Sequence, residues 1–292
     1  MDERKNINWY PGHMAKSRRL LQEQLSRVDA VIELCDARIP GASRNPDLNA
    51  LVSDKPRLLV LNKADLADAE GVQVWLSYYR RHGLSAMSYN GLRGNARPVL
   101  ERIADMTREK VERLARRGVK KTVRIMVVGI PNVGKSTFIN RISGVRSAKT
   151  GDRPGVTRSN QWVKVGEYLE ILDTPGMLWP KMERQEDAHL LALIGTINDQ
   201  ILDRPMLAVE LLERMAEKDA QAVKDRFHIR DMQTKGVALL EEACRGRGWI
   251  LPRGEVDWDR GAAVVLDEFR AGKLGGVSLE LPPEEDDDEK GL

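Results

Sequence analysis

Residues 124–137 read RIMVVGIPNVGKST, and this stretch decides the fold. RIMVVGI at 124–130 is a short continuous apolar run, the pattern of a strand buried on both faces. GIPNVGKST at 129–137 is glycine, four residues, glycine, lysine and serine. Set between that strand and a helix expected at about 135–143, it reads as a phosphate-binding loop. Gly129 and Gly134 let the backbone wrap tightly around an anion. Successive amides, those of Asn132 and Val133 among them, then point inward, and the helix N-terminus adds its partial positive charge. Lys135 is expected to reach the β- and γ-phosphates, Ser136 to coordinate Mg²⁺, and Thr137 to line the α-phosphate side. The bland alternative is a glycine turn that merely precedes a helix.

Outward from this loop, buried strands are expected at AVIELCDA (30–37), RLLVLNKAD (57–65) and LSAMSYNG (84–91), with two more near 160–165 and 168–173. Strands that alternate with helices indicate an α/β fold with a doubly wound, mainly parallel sheet. Downstream, DTPG at 173–176 ends a strand. Asp173 is placed to hold Mg²⁺ through water, and the Gly176 amide to meet the γ-phosphate. Alone this tetrapeptide means little; its value lies in following the phosphate loop at a strand end. Between them, TGDRPGVTRS at 150–159 offers Thr157, chosen over Thr150, as a Mg²⁺ and γ-phosphate contact, with a plain surface threonine as the alternative.

NKAD at 62–65 also ends a buried strand. Guanine presents N1–H and N2–H donors on one edge, a pair that one carboxylate accepts and adenine lacks. Asp65 is therefore the base discriminator, Asn62 bonds the base and braces the pocket, the stem of Lys63 covers the ring, and Ala64 completes the turn. Met87 and Ser88, at the end of the next strand, close the pocket through backbone amides. The order is unusual, because the base motif at 62 precedes the phosphate loop at 129 and no second Asn-Lys-x-Asp follows Asp173. A site made of loops at one sheet edge does not require a given chain order. The expectation is a circularly permuted P-loop GTPase.

After about residue 186 the apolar periodicity turns helical, as in HLLALIGTI, PMLAVELLERMAE, TKGVALLEEAC and DRGAAVVLDEFRAG. The expected organisation is a permuted GTPase domain with a basic N-terminal segment (1–188), a smaller all-α domain (189–283) and an acidic disordered tail (284–292). Net charge is +3; the tail EEDDDEK at 284–290 carries −5, which leaves +8 elsewhere and favours a polyanionic partner. Between Thr107 and Arg124 eight Lys/Arg face two acids. Of the basic residues, Arg18, Arg19, Arg113, Arg116, Arg117, Lys120 and Lys121 are candidates for RNA phosphate contacts, against the usual reading of a solvated helix face. Two cysteines exclude a disulfide framework, no run is long enough to cross a membrane, and no secretory or transit pattern opens the chain. A cytoplasmic monomer without membrane contact is expected.

NINWYPGHMAKSRR (6–19), DARIP (36–40), NKADL (62–66), GIPNVGKST (129–137), KTGDRPGVT (149–157), DTPGMLWPK (173–181) and GEVDWDRGAAVVLDEFRAGKLG (254–275) resemble the circularly permuted GTPases of the ribosome biogenesis GTPase A, or YlqF-type, family. The resemblance spans nearly all of 6–281. It implies a cytosolic, Mg²⁺-dependent GTPase that binds GTP and GDP, engages the large ribosomal subunit, and contacts ribosomal RNA through its basic surfaces and helical domain. Met177 stands where Ras-like proteins carry a water-orienting glutamine, so slow intrinsic turnover is expected. His13 is a candidate to position the water, against a capping or RNA-contacting role. Asn132 is a candidate K⁺ ligand beside the phosphates, against a purely structural asparagine. The rival function is a switch that binds a protein partner and no RNA.

Overall fold

The computed structural model describes residues 19, 21–52, 55–144, 161–176, 184–197 and 203–284. β1 (Ala30–Asp36) is buried along its whole length because both of its faces are covered. Ile32 and Leu34 face one apolar cluster with Val60, Val127 and Phe138, while the alternate Val31 and Cys35 face the other side. The same two-sided burial holds for most of β2 (Arg57–Asn62) and β4 (Val123–Gly129), which flank β1. β3 (Ser85–Tyr89), β5 (Gln161–Val165) and β6 (Leu169–Asp173) complete the sheet in the order β3-β2-β1-β4-β6-β5. Every pairing is parallel except β5 with β6, so the expected doubly wound, mainly parallel sheet is what forms.

Besides the helical residues 21–25, the helices among the described residues are α1 (Asp47–Leu51), α2 (Ala69–Arg81), α3 (Ala96–Ala115), α4 (Lys135–Ser143), α5 (Gln185–Leu193), α6 (Arg204–Phe227), α7 (Val237–Gly246) and α8 (Trp258–Arg270). Their starts follow from local chemistry. Asp68, Asn95, Asp203 and Asp257 each accept a first-turn amide of the helix that follows. The cap at Asn95 sets the start of α3 at Ala96. α2 was not singled out by periodicity; Val72, Trp75, Tyr78 and Tyr79 bury its inner face against Leu59 and Leu61. α3 buries only Val99, Ile103 and Thr107, a narrow stripe at intervals of four that leaves its charged faces to solvent. α5 carries the chain across residue 188 and shares one continuous apolar cluster with β1, β4, α6 and α8. α6 is kinked at Asp219, whose φ of −151° and ψ of 84° are not helical.

Beyond α8 the chain returns to the sheet. Val277 N donates to the Leu66 carbonyl (3.0 Å) and Leu279 N to the Arg38 carbonyl (2.8 Å). Trp75 Nε1 donates to the Glu280 carbonyl (3.1 Å), and the Glu280 carboxylate accepts from the amides of Gly41 and Ala42. Burial pushes the Glu280 carboxyl up to about 8, against the two amides that favour its ionised form. A carboxyl with a raised folded value supplies stability that is complete below its unfolded value and is lost as pH rises through the folded one. Glu280→Gln keeps an oxygen for the two amides and removes the titration. Its thermal midpoint is therefore expected to gain on wild type as pH rises from 5 to 9; a constant difference across that range would contradict this.

Candidate functional site

Because the central strands are parallel, their C-terminal ends share one rim. Asp36 ends β1 opposite Asn62 of β2, which stands opposite Tyr89 of β3. Gly129 of β4 pairs with Leu34, and Asp173 of β6 pairs with Val127. The chain runs from β1 outward to β3, then returns to the other side of β1 as β4, so the order reverses between β1 and β4. Open parallel sheets bind ligands at such a crevice. The upstream base motif and the downstream phosphate loop meet there.

The two motifs are hydrogen-bonded to each other. Asn62 Nδ2 donates to the Val133 carbonyl (2.8 Å) and Lys63 Nζ to the Asn132 carbonyl (2.7 Å). Gly134 caps α4 at a φ of 95°, where a β-carbon would lie 2.6 Å from Asn62 Nδ2. Lys135 opens the helix with its ammonium buried, donating to the carbonyls of Gly129 (3.0 Å) and Ile130 (2.8 Å). Burial lowers this ammonium to about 8; Asp173 opposes the fall and Lys63 adds to it. Thr137 follows on the same first turn, half-buried. Gly176 lies over the loop, such that a β-carbon would stand 2.6 Å from Pro131 Cα and 3.1 Å from Lys135 Nζ. Ala64 and Asp65 form a short 3-10 turn after Lys63, and Asp65 is exposed at the rim. Ser88 pairs with Leu61, one step before the rim, next to Met87.

Ser136 Oγ donates to Asp173 Oδ2 (2.9 Å), and Asp173 Oδ1 is buried without a partner among the described residues. Burial raises the Asp173 carboxyl, with Ser136 and Lys135 opposing. An orphaned carboxylate oxygen beside a hydroxyl is a hard-oxygen pair suited to Mg²⁺, directly or through water. Asn132 has a φ of 60°, and its Nδ2 donates to the Gly195 carbonyl (2.7 Å). His13, Thr157 and Met177 lie outside the described residues.

Two charged residues of the DARIP segment, to which the motifs assign no role, complete the rim. Asp36 and Arg38 are 0% and 1% exposed. Arg38 Nε and Nη2 each reach the Asp36 carboxylate at 2.8 Å, and Lys63 Nζ stands 3.2 Å from it. Burial alone would raise the Asp36 carboxyl, but Arg38 and Lys63 override it and hold it well below the usual carboxylate range. Asp36 thus holds the ammonium that bridges to the phosphate loop. The signal was present as DAR at 36–38, an aspartate and an arginine closing an apolar strand.

A family model described as 50S ribosome-binding GTPase matches residues 124–235, beginning with β4 and leaving NKAD upstream of the match. Ribosome biogenesis GTPase A of Priestia megaterium is 43% identical over 281 residues, covering 95% of this chain and 98% of that protein. The chain belongs to the ribosome biogenesis GTPase A family. The family protein of Bacillus cereus is 42% identical over 280 residues, covering 95% of each chain. The fold is shared with GNP-bound YlqF from T. maritima, at a TM-score of 0.63 and 24% identity over 92% of this chain and 99% of that one.

Proposed function

We propose that the chain binds GTP and GDP at this rim and hydrolyses GTP as an assembly factor of the large ribosomal subunit, its nucleotide state gating attachment to the particle and its RNA. The observation that carries this reading is the pair of bonds from Asn62 and Lys63 to the phosphate-loop carbonyls, which fasten a guanine-type motif to a phosphate cradle despite the reversed chain order. In this reading Asp65 accepts the guanine edge, and the backbones of Ala64, Met87 and Ser88 line the base. The amides of Asn132, Val133, Gly134, Lys135, Ser136 and Thr137 take the phosphates, with Lys135 at the β- and γ-phosphates and the Gly176 amide at the γ-phosphate. Ser136, Asp173 and Thr157 would hold Mg²⁺, which would supply positive charge to offset that of the phosphates. His13 positions the water. K⁺ would contact Asn132 through Oδ1, since its Nδ2 already donates to Gly195. The chain acts in this reading as a cytoplasmic monomer; no helix among the described residues is long and apolar enough to cross a membrane.

The test is sedimentation with purified large subunits. The chain is expected to travel with them in a non-hydrolysable GTP analogue and to be released in GDP, with the bound fraction falling steeply as salt rises. Equal sedimentation in both nucleotides, or binding to a protein partner in their place, would reject the gating claim.

A further inference from the structure

The phosphate loop is tied to the C-terminal helices as well as to the sheet. Asn132 Nδ2 donates to the Gly195 carbonyl (2.7 Å), and Thr196 Oγ1 donates to the Pro131 carbonyl (3.2 Å). Gly195 lies just beyond α5, and one guanidinium takes two of that helix's last carbonyls. Arg270 Nε donates to Leu193 O (3.0 Å) and Nη2 to Ala192 O (2.8 Å). The final carbonyls of a helix have no partners within it, so a cation that caps them fixes the path of the chain that follows. That path enters Gly195 at a φ of 77°, where a β-carbon would stand 3.0 Å from Arg270 Nε. Arg270 thus braces the turn that presents the carbonyl holding Asn132, alongside the backbone bonds from Gly195 N to Ala192 O (3.0 Å) and from Thr196 N to Leu191 O (2.9 Å).

From Asn132 the bonds continue around the site. Its carbonyl accepts from Lys63, Lys63 pairs with Asp36, and Arg38 grips Asp36 with two nitrogens. The Arg38 guanidinium lies 5.0 Å from the centre of the Phe269 ring, and its Nη1 reaches the Phe269 carbonyl at 3.5 Å. Phe269 is the residue before Arg270, so the path closes on itself at the end of α8.

We propose that Arg270 is a positioning residue for the nucleotide, acting through Gly195 and Asn132, and that this closed circuit couples the last helix to both the phosphate loop and the guanine motif. The proposal rests on the reading of the rim as the GTP site and deepens it. Most of its links are directional bonds between groups whose positions are fixed by helix ends and strand ends, so a displacement of α8 is passed on to the loop. A partner that shifts α8 changes nucleotide affinity, and nucleotide changes the affinity for that partner by the same factor.

The test measures binding and release of a fluorescent GDP by the full chain. Arg270→Ala is expected to bind GDP about tenfold more weakly, within the usual span of coupling between sites, chiefly through faster release. Arg270→Lys, which can reach one carbonyl but not both, should fall between. Arg260→Ala, on an exposed residue at the other end of the same helix, should match wild type. Arg270→Ala binding GDP like Arg260→Ala overturns the proposal. The reverse direction uses Asn132→Gly, which keeps the positive φ and removes the amide. Wild type should show GDP-induced protection of residues 258–270 from hydrogen exchange, and Asn132→Gly, which keeps the arm through Lys63, Asp36 and Arg38, should show clearly less of it with its thermal midpoint little changed. Undiminished protection in Asn132→Gly overturns the proposal even if Arg270→Ala proves too unstable to study. A wild-type chain that takes up no GDP overturns the reading of the site itself, and the circuit with it.

Discussion

Asp65→Asn is expected to exchange guanosine for xanthosine nucleotides. A carboxylate offers two acceptors to the N1–H and N2–H donors of guanine. Asparagine offers one acceptor and one donor. Its oxygen can still take N1–H, but its amide nitrogen then faces the N2 amino group, donor against donor. Xanthine keeps N1–H and carries a carbonyl at C2, so the same asparagine fits it with two bonds. Charge-assisted bonds contribute roughly 1.5–3 kcal/mol each. Losing one outright and the charge assistance of the other should weaken guanosine binding by about 2.5–4.5 kcal/mol, on the order of 10²–10³-fold. The fold should tolerate the change, because Asp65 is exposed in its short turn and the neighbouring Leu66 carbonyl is held by Val277 N at 3.0 Å. Competition of XDP, GDP and ADP against a fluorescent GDP decides the matter in wild type and variant. A variant that still prefers GDP would remove Asp65 from the base pocket, and with it the reason for reading NKAD as a guanine motif.

The parts of this site that could be read from sequence are those whose chemistry is local. A phosphate loop needs its glycines, lysine and serine within nine consecutive residues, so GIPNVGKST announces both the loop and the helix Lys135–Ser143. The buried strands were legible because a sheet covered on both faces writes continuous apolar runs. α2 was harder, since its buried Trp75, Tyr78 and Tyr79 sit among Gln73, Ser77, Arg80 and Arg81, and its identity depends on the cap at Asp68. Asp36 and Arg38 were legible only as residues; their pairing with Lys63 depends on which strands become neighbours, and β1 lies between β2 and β4 by topology alone. Gly195 and Arg270 were further out of reach. They are 75 residues apart in sequence numbering and become a unit only because α8 packs its C-terminal end against the end of α5. Local motifs thus announce what touches the ligand, while the residues that hold those motifs in register are revealed by the packing.

Arg38→Met should unfold more readily than wild type by about 3–5 kcal/mol, the usual cost of breaking a buried ion pair from one side. The Asp36 carboxylate would remain fully buried with only Lys63 and the backbone amide of residue 38 beside it. Against a total stability of about 5–15 kcal/mol, that is a large share. The loss should also depend on pH in a definite direction. In wild type the Asp36 carboxyl is depressed below its ordinary value, so its contribution is present above the unfolded value and fades as pH falls toward the folded one. Without Arg38 the desolvation that wild type overcomes is left unopposed by its main partner, and the carboxyl rises. The variant's deficit should then be smallest in mild acid, where Asp36 is protonated, and grow toward neutrality. Urea unfolding at pH 4.5 and pH 7 measures this; an equal deficit at both would mean that the arginine acts through its packing on Phe269 alone. The double variant Asp36→Leu, Arg38→Met separates stability from binding. Replacing a whole buried pair by apolar side chains is often neutral for folding, so the double variant should recover most of what the single one loses. It should not recover GDP affinity, because Lys63 would have lost the carboxylate that aims it at the Asn132 carbonyl. A double variant that folds well and binds GDP as tightly as wild type would show that Asp36 serves the core and not the nucleotide.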